Sequence, residues 1–340
     1  MIKLMVVDDG SNDGTGAIVQ AVIHEAPPDK IYLTTRVLPA AQTGKGNALN
    51  WAYQRIVKLT AGKAATTIVG VIDADAYMTK AGYLRVLNEF AKQPQLGLLQ
   101  VAVKIMTPQN WLQRLQDIEF MVVNDWIQNV RNRLGNAAAS GNGQFVRMQA
   151  LTSSQPWGNA LLEDFEFSTR CLLAGHVTKY VGDVLVYQEA LSKVRPFIRQ
   201  RTRWAQGGLD CLVTYWPRIL RSSQLAWGAK FEMTFYMYLP MITLVTGFAN
   251  LYVLAYVLCH VQSDWPILAL LLVINLWIDL YLIWQYTLRN DSSQRIRLIR
   301  TILALACYHY LLYPVTVLAI WKKLRGQTQW IKTVHGEGKS

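Results

Sequence analysis

Three long apolar stretches occupy the last third of this 340-residue chain. Phe231–Val261 carries only Glu232 as a charge, Pro266–Leu288 carries only Asp279, and Thr301–Trp321 carries none. As a helix, each is long enough to cross the roughly 30 Å of a bilayer's hydrocarbon. Aromatic residues near their ends favour membrane helices over the buried core helices of a soluble protein. Orientation poses a conflict. Arg289, Arg295, Arg297 and Arg300 precede the third stretch, and Lys322, Lys323 and Arg325 follow it. Basic connections favour the cytoplasmic side, yet one full crossing would separate these two groups. Either Thr301–Trp321 is re-entrant or interfacial, or the tail breaks the rule.

The bulk numbers agree with a membrane-associated chain. Hydrophobic residues make up 52%, charged residues 16%, and the formal charge is +12. Such a charge suits anionic lipid, phosphate-bearing substrates or nucleic acid. The arginines cluster beside the apolar stretches and no nucleic-acid recognition module appears, so lipid headgroups account for them better. Cys171, Cys211, Cys259 and Cys307 are scattered without a CxxC pair, which speaks for reduced thiols rather than disulfides or zinc. Met1–Gly10 reads as a strand and not as a signal segment.

Residues 1–189 alternate short apolar runs with helical periods. Strands are expected at Ile31–Val37, Thr66–Ile72, Leu96–Ile105 and Val177–Val186, and helices at Gly46–Leu59, Ala81–Phe90, Trp111–Arg133 and Glu163–Leu173. The alternation implies an α/β domain with a doubly wound, mainly parallel sheet. Residues 190–230 change character. Arg195, Arg199, Arg201, Arg203 and Arg218 mix with Phe197, Trp204, Tyr215 and Trp216, as in helices lying in a membrane interface. Residues 231–321 form the membrane helices and 322–340 a basic tail.

Four short signals carry candidate chemistry. VVDDGSNDGTGAIV ends an apolar strand in Asp8 and Asp9, followed by a glycine turn; ligands of open α/β sheets bind just beyond such strand ends. Equally, turns favour acids for local reasons. VIDADAYM places Asp73 and Asp75 two apart, on one side if the segment is extended. Paired carboxylates suit Mg²⁺ or Mn²⁺, with substrate phosphates completing the shell. LLEDFEF puts Glu163 and Asp164 in a first helical turn, where the dipole favours the ionised form and a carboxylate can serve as general base. RQRTRWAQGG spaces Gln200, Arg203 and Trp204 as Gln-x-x-Arg-Trp; Trp offers a face to a sugar and Arg neutralises a diphosphate.

In this order, together with GKGNALN (Gly44–Asn50) and SGNGQFVR (Ser140–Arg147), these signals resemble the membrane-integrated family 2 glycosyltransferases, such as cellulose, hyaluronan, chitin and poly-N-acetylglucosamine synthases. The resemblance runs from Ile2 through Thr333, and includes a loose match at Gln329–Thr333 to a motif that closes over the nucleotide. It implies a GT-A-like fold, a cytoplasmic catalytic domain and a multi-pass cell-membrane protein. It further implies that Asp8, Asp9 and Lys45 hold the nucleotide of a UDP-sugar, that Asp73 and Asp75 hold the metal and ribose edge, and that Asp164 is the base. Glu163 stands beside it. Gln200, Arg203 and Trp204 would hold the diphosphate and the acceptor terminus, and Gly141 and Gly143 would let the backbone approach the acceptor. One displacement with one base inverts the anomeric centre.

The sequence departs from that family at its start. Relatives place a further strand and helix, and membrane helices, before the DDGS strand; their loss would leave strand edges unpaired. A truncated gene model or a genuine short form, inactive or completed by a partner, would each account for it. The leading expectation is a processive, metal-dependent polysaccharide synthase that translocates its product, with accessory subunits among its partners; the alternatives are single-sugar transfer to a polyprenyl-phosphate or glycolipid, and a truncated, non-catalytic nucleotide-binding membrane protein.

Overall fold

A computed structural model describes residues 2–151, 155–289 and 298–327. The expected Gln329–Thr333 motif lies outside the described residues. The chain begins with a βαβ unit: β1 (Leu4–Asp9), α1 (Thr15–Glu25) and β2 (Ile31–Arg36), the two strands pairing in parallel. Helix α2 (Lys45–Leu59) leads to β3 (Ile68–Val71), β4 (Ala76–Met78), α3 (Lys80–Lys92) and β5 (Leu96–Ile105). A long rod follows, made of α4 (Trp111–Ile118), a π-helical segment Glu119–Asn124 and α5 (Asp125–Leu134). Then come β6 (Gln144–Arg147), α6 (Glu163–Leu173), β7 (Val177–Gln188) and the 28-residue α7 (Val194–Arg221). Three long helices complete the fold: α8 (Trp227–Cys259), α9 (Val261–Arg289) and α10 (Leu298–Leu324).

The second sheet has the order β3-β6-β5-β7-β4. Strand β5 is its axis, because LGLLQVAVKI is almost continuously apolar and is covered on both faces. The α/β class stands, but the sheet is mixed rather than mainly parallel. β6 runs antiparallel to β3 and β5, β4 runs antiparallel to β7, and only β5 with β7 forms a parallel ladder. The reason is local. β6 is a four-residue strand inside the SGNGQFVR stretch and β4 has three residues, so neither was long enough to show a period in the sequence. Among the described residues no ladder joins β1 to β3, and β1 is poorly covered, with Leu4 55% exposed.

Helix boundaries follow capping chemistry. The Thr79 side chain accepts from the Gly82 N–H (3.2 Å) and Asn110 from that of Gln113 (2.9 Å), and Gly135 ends α5 in the left-handed region. The expected single helix over Trp111–Arg133 is continuous but widened at its π segment. This rod joins the sheet to the last three helices. Asp117 accepts from the β5 end at Ile105 N (2.9 Å) and from Tyr286 Oη on α9 (2.5 Å). Glu119 pairs with Arg201 on α7 (2.9 Å) and accepts from Tyr308 on α10. Asp125 accepts from Tyr180 on β7 (2.6 Å) and pairs with Arg289. Arg131 meets Glu232 on α8 at 2.8 Å, and Asn136 donates to the same carboxylate at 2.6 Å. Asp279, the acid inside the second apolar stretch, pairs with His309 on α10 at 3.2 Å.

Breaking a buried ion pair leaves a charge without compensation, at about 3–5 kcal/mol. Arg131→Ala should therefore lower the thermal midpoint of the detergent-solubilised chain markedly. Arg133→Ala, on the exposed face of the same helix, should change stability by less than about 0.5 kcal/mol.

Candidate active site

The carboxyl ends of β1 and β3, the start of α2, the Ser140–Gly143 turn, the start of α6 and the middle of α7 supply the candidate residues. Lys45 is where most of them meet. Its ammonium donates to Asp73 Oδ1 at 2.5 Å and to the Gly141 carbonyl at 3.3 Å, and lies 3.9 Å from Glu163 Oε1. Burial alone would depress its pKa; the charges of Asp73, Glu163 and Asp164 outweigh that and raise it.

Asp164 is pushed up to about 7, first by burial and then by the neighbouring Glu163, against the opposing pull of the Phe165 N–H (2.7 Å) and Lys45. A carboxyl poised there is half ionised at physiological pH and suits proton abstraction. Gly141 makes room for it: a Cβ on Gly141 would lie 3.0 Å from Asp164 Oδ2, and its φ of +79° disfavours any side chain. Arg203 faces the same acids. Burial holds its guanidinium pKa below the ordinary value, while Glu163, Asp164 and Asp73 act in the other direction. Asp73, Glu163, Asp164, Lys45, Gly141 and Arg203 thus form one electrostatic cluster.

Asp75 sits two residues from Asp73, but the segment is not extended. Ala76 N donates back to the Asp73 carbonyl at 3.0 Å, closing a turn between β3 and β4. The two-residue periodicity expected of a strand does not apply here; the two acids sit at the first and third positions of a turn. The pair still offers hard oxygen ligands. Among the described residues no group of three or more His, Cys, Asp or Glu side chains gathers as a metal site. Two carboxylates completed by substrate phosphates and water are the usual protein share of a Mg²⁺ site, so the donor set fits a divalent cation that arrives with a diphosphate.

Asp8 and Asp9, at the end of β1, bond to other partners. Asp8 is buried and accepts from Ser11 N at 2.9 Å. Asp9 pairs with buried Arg36 at 2.6 Å and accepts from Gln42 N at 3.1 Å. Gln200 lies half-buried on α7, one turn ahead of Arg203 and Trp204. Trp204 is covered on its ring by Arg201, whose guanidinium is 4.2 Å from the centroid. Gly143 plays a different part from Gly141. Its Cβ would meet Val101 at 2.6 Å and Val186 at 2.8 Å, so core packing requires the glycine.

Several residues at the site were not singled out from the sequence. Asn142 accepts from Asp73 N (3.2 Å) through its side-chain oxygen and donates to Gln188 (2.9 Å). Fully buried Gln100 donates to the Asn142 carbonyl (2.8 Å) and accepts from Ser140 N (2.8 Å). These amides fix the turn that carries Gly141. A glutamine inside an otherwise apolar strand was the available signal.

Comparison with known proteins decides the family. The description "Glycosyl transferase family group 2" matches residues 68–284. The chain belongs to this family. It is 27% identical over 343 residues to a β-monoglucosyldiacylglycerol synthase of Trichormus variabilis, covering 98% of this chain and 69% of that protein. It is 25% identical to a poly-β-1,6-N-acetyl-D-glucosamine synthase of Staphylococcus epidermidis, over 64% of this chain and half of that one. A mannosyltransferase of Pyrobaculum calidifontis, solved with GDP-Man and Mn²⁺, shares the fold with a TM-score of 0.60 at 19% identity, covering 96% of this chain and 78% of that one.

Removing the Lys45 ammonium should make stability more pH-dependent. Without it the Asp164 carboxyl is held higher still. The folded state then binds its proton more tightly, and stability keeps falling as pH rises beyond 7. The thermal midpoint of Lys45→Met should drop below that of the parent chain by a margin that grows between pH 6 and pH 8.5. An equal offset at both pH values would contradict this assignment.

Proposed function

We propose that this glycosyltransferase moves one hexosyl unit from a UDP-sugar to the hydroxyl of a lipid acceptor presented at the membrane. The observation that carries the reading is the meeting of a poised carboxyl, Asp164, with Lys45 and Arg203 in one cluster beside the Asp73–Asp75 turn. Asp164 takes the proton of the acceptor hydroxyl as that oxygen attacks the anomeric carbon. The bond to UDP breaks on the opposite face, so an α-linked donor gives a β-linked product. Arg203 and Lys45 offset negative charge developing on the diphosphate. Asp73 and Asp75 would hold Mg²⁺ or Mn²⁺, whose chemistry is to polarise the diphosphate and stabilise it as leaving group. Asp8 and Asp9 lie at the end of β1, suited to the nucleoside end. Trp204, backed by Arg201, offers its ring to the acceptor, with Gln200 beside it.

A lipid acceptor is favoured because likeness to the diacylglycerol glucosyltransferase extends over nearly the whole chain, through the apolar helices. Likeness to the poly-N-acetylglucosamine synthase supports polymer synthesis as the second reading. Membranes carrying the chain, given radiolabelled UDP-sugars with Mg²⁺ or Mn²⁺ and diacylglycerol, should yield one discrete glycolipid on thin-layer chromatography. A ladder or material retained at the origin would select the polymer instead, and absence of UDP release with every donor would defeat both.

The catalytic assignment makes its own demand. Asp164→Asn should lower the transfer rate by about 10²-fold or more, with UDP-sugar binding retained. In the parent chain kcat/KM should rise with pH through a midpoint near 7, as the base loses its proton. Transfer by Asp164→Asn at the parental rate would refute the role.

A further inference from the structure

The far ends of α6 and α7 enclose a cavity of about 580 Å³, a volume ordinary for a small-ligand site. Arg170 enters it from α6, and Tyr215, Arg218 and Arg221 from the last two turns of α7. Ser222 and Gln224, on the connection to α8, also line it. Among the described residues three guanidiniums thus border one space and no carboxylate does. This is not the cleft around Lys45. Leu173 at the cavity lies about 14 Å along α6 from Asp164, and Arg218 lies about 22 Å along α7 from Arg203.

The charges at the cavity are unevenly matched. Arg170 donates to both oxygens of Glu166, at 3.0 and 3.2 Å. Arg218 lies over the Tyr215 ring, 5.6 Å from its centroid. Among the described residues no carboxylate pairs with Arg218 or Arg221. Cations in a last helical turn complement the helix dipole, which accounts for Arg218 and Arg221 taken singly. It does not account for a third arginine brought against them from another helix, since like charges repel. An anion relieves that repulsion, and guanidinium forks match phosphate oxygens in pairs. Ser222 Oγ accepts from Gln224 N at 3.1 Å, which leaves its hydrogen to donate to an oxyanion.

We propose that this cavity is a second binding site, apart from the catalytic cleft, for a phosphate group carried by an anionic phospholipid. The lipid is favoured over a soluble phosphate by what stands on the same elements. Val213 and Leu220, seven apart on α7, and Trp227 and Phe231, in the first turns of α8, are apolar and exposed. Helix α8 is itself long and apolar enough to cross a bilayer. A headgroup with acyl chains satisfies both the cations and this apolar row, whereas a free phosphate satisfies the cations alone. The cavity is also joined to the catalytic cleft. Glu166, the partner of Arg170, packs under Gly158, where a Cβ would lie 2.2 Å from Glu166 Oε2. The Gly158 carbonyl packs in turn on Gly46, where a Cβ would lie 1.9 Å from it. An anion engaging Arg170 therefore acts on packing that reaches the neighbour of Lys45.

Thermal midpoints of the full chain in detergent micelles test this without reference to activity. Micelles doped with phosphatidylglycerol should raise the midpoint above that in micelles doped with phosphatidylcholine, because a ligand of the folded state stabilises it. Arg218→Gln combined with Arg221→Gln should match the parent in phosphatidylcholine, as both side chains are exposed, and should lose most of the phosphatidylglycerol increment. Arg133→Gln, exposed on α5, should keep it. General attraction of anionic lipid to the chain's 34 lysines and arginines would cost the double variant only the share of two charges. That result, or no increment in the parent, would overturn the proposal. Ser223→Glu sets a carboxylate at the cavity and should abolish the increment as well; its persistence there would be equally fatal. Glycerol phosphate at matched concentration separates the sources. No increment from it assigns the lipid, while an equal increment, again lost in the double variant, upholds the phosphate site with a soluble ligand.

Discussion

The site depends on one ammonium among three acids. Asp73 comes from the turn after β3, and Glu163 and Asp164 from the first turn of α6; each is an anion at neutral pH in the unfolded chain. Bringing them together in a partly buried cleft is opposed by mutual repulsion and by lost hydration. Lys45 offsets both, since it bonds Asp73 directly and stands within ion-pair reach of Glu163. The positive end of α6 contributes in the same direction. Burial, and then the charge of Glu163 beside it, push the Asp164 carboxyl up to about 7. In the proposed reaction, a diphosphate entering beside Asp73 would compete for Lys45, and would thereby link substrate binding to the charge state of Asp164.

A second set of buried acids fastens this site to the long helices. Asp117, Glu119 and Asp125 project from one rod, and each has a partner on α7, α9 or α10. Burial raises the Asp117 carboxyl above its ordinary range, while the Tyr286 hydroxyl and the Ile105 N–H pull it back. Through Ile105 the same carboxylate touches the end of β5, the axis of the sheet. Displacement of α9 would thus be felt at the sheet rather than absorbed by a linker.

Much of this was legible from residue order, and the failures have local causes. Leu96–Ile105 and Glu163–Leu173 were read with correct bounds, because a continuous apolar run and an acid-led amphipathic period are strong signals. The short β4 and β6 were not, and with them went the antiparallel pairings. Lys45, Asp73, Glu163, Asp164, Gly141 and Arg203 were named from motifs and do converge. Asp75 was expected on an extended strand and lies in a turn. Asn142, Gln100 and Gln188 were missed because side-chain amides that brace a turn leave no periodic trace. Arg201 was noted as a basic interfacial residue, yet its place between Glu119 and Trp204 depends on packing between α7 and the rod.

The arrangement of α7 bears on the choice of acceptor. One part of this helix carries Arg203 toward the acids, and other positions, Phe197 and Asp210, hold α10. Helix α10 therefore helps to fix the position of α7, and with it that of Arg203. For the proposed transfer a lipid hydroxyl has only to reach Asp164. A growing polymer needs more: a polar path through the hydrocarbon, enclosed on all sides because no water is present to satisfy exposed sugar hydroxyls. Among the described residues three helices are long and apolar enough to cross, too few to ring such a path. Polymer export by this chain would thus require helices supplied by further segments or by other subunits, a demand that transfer to a lipid does not make.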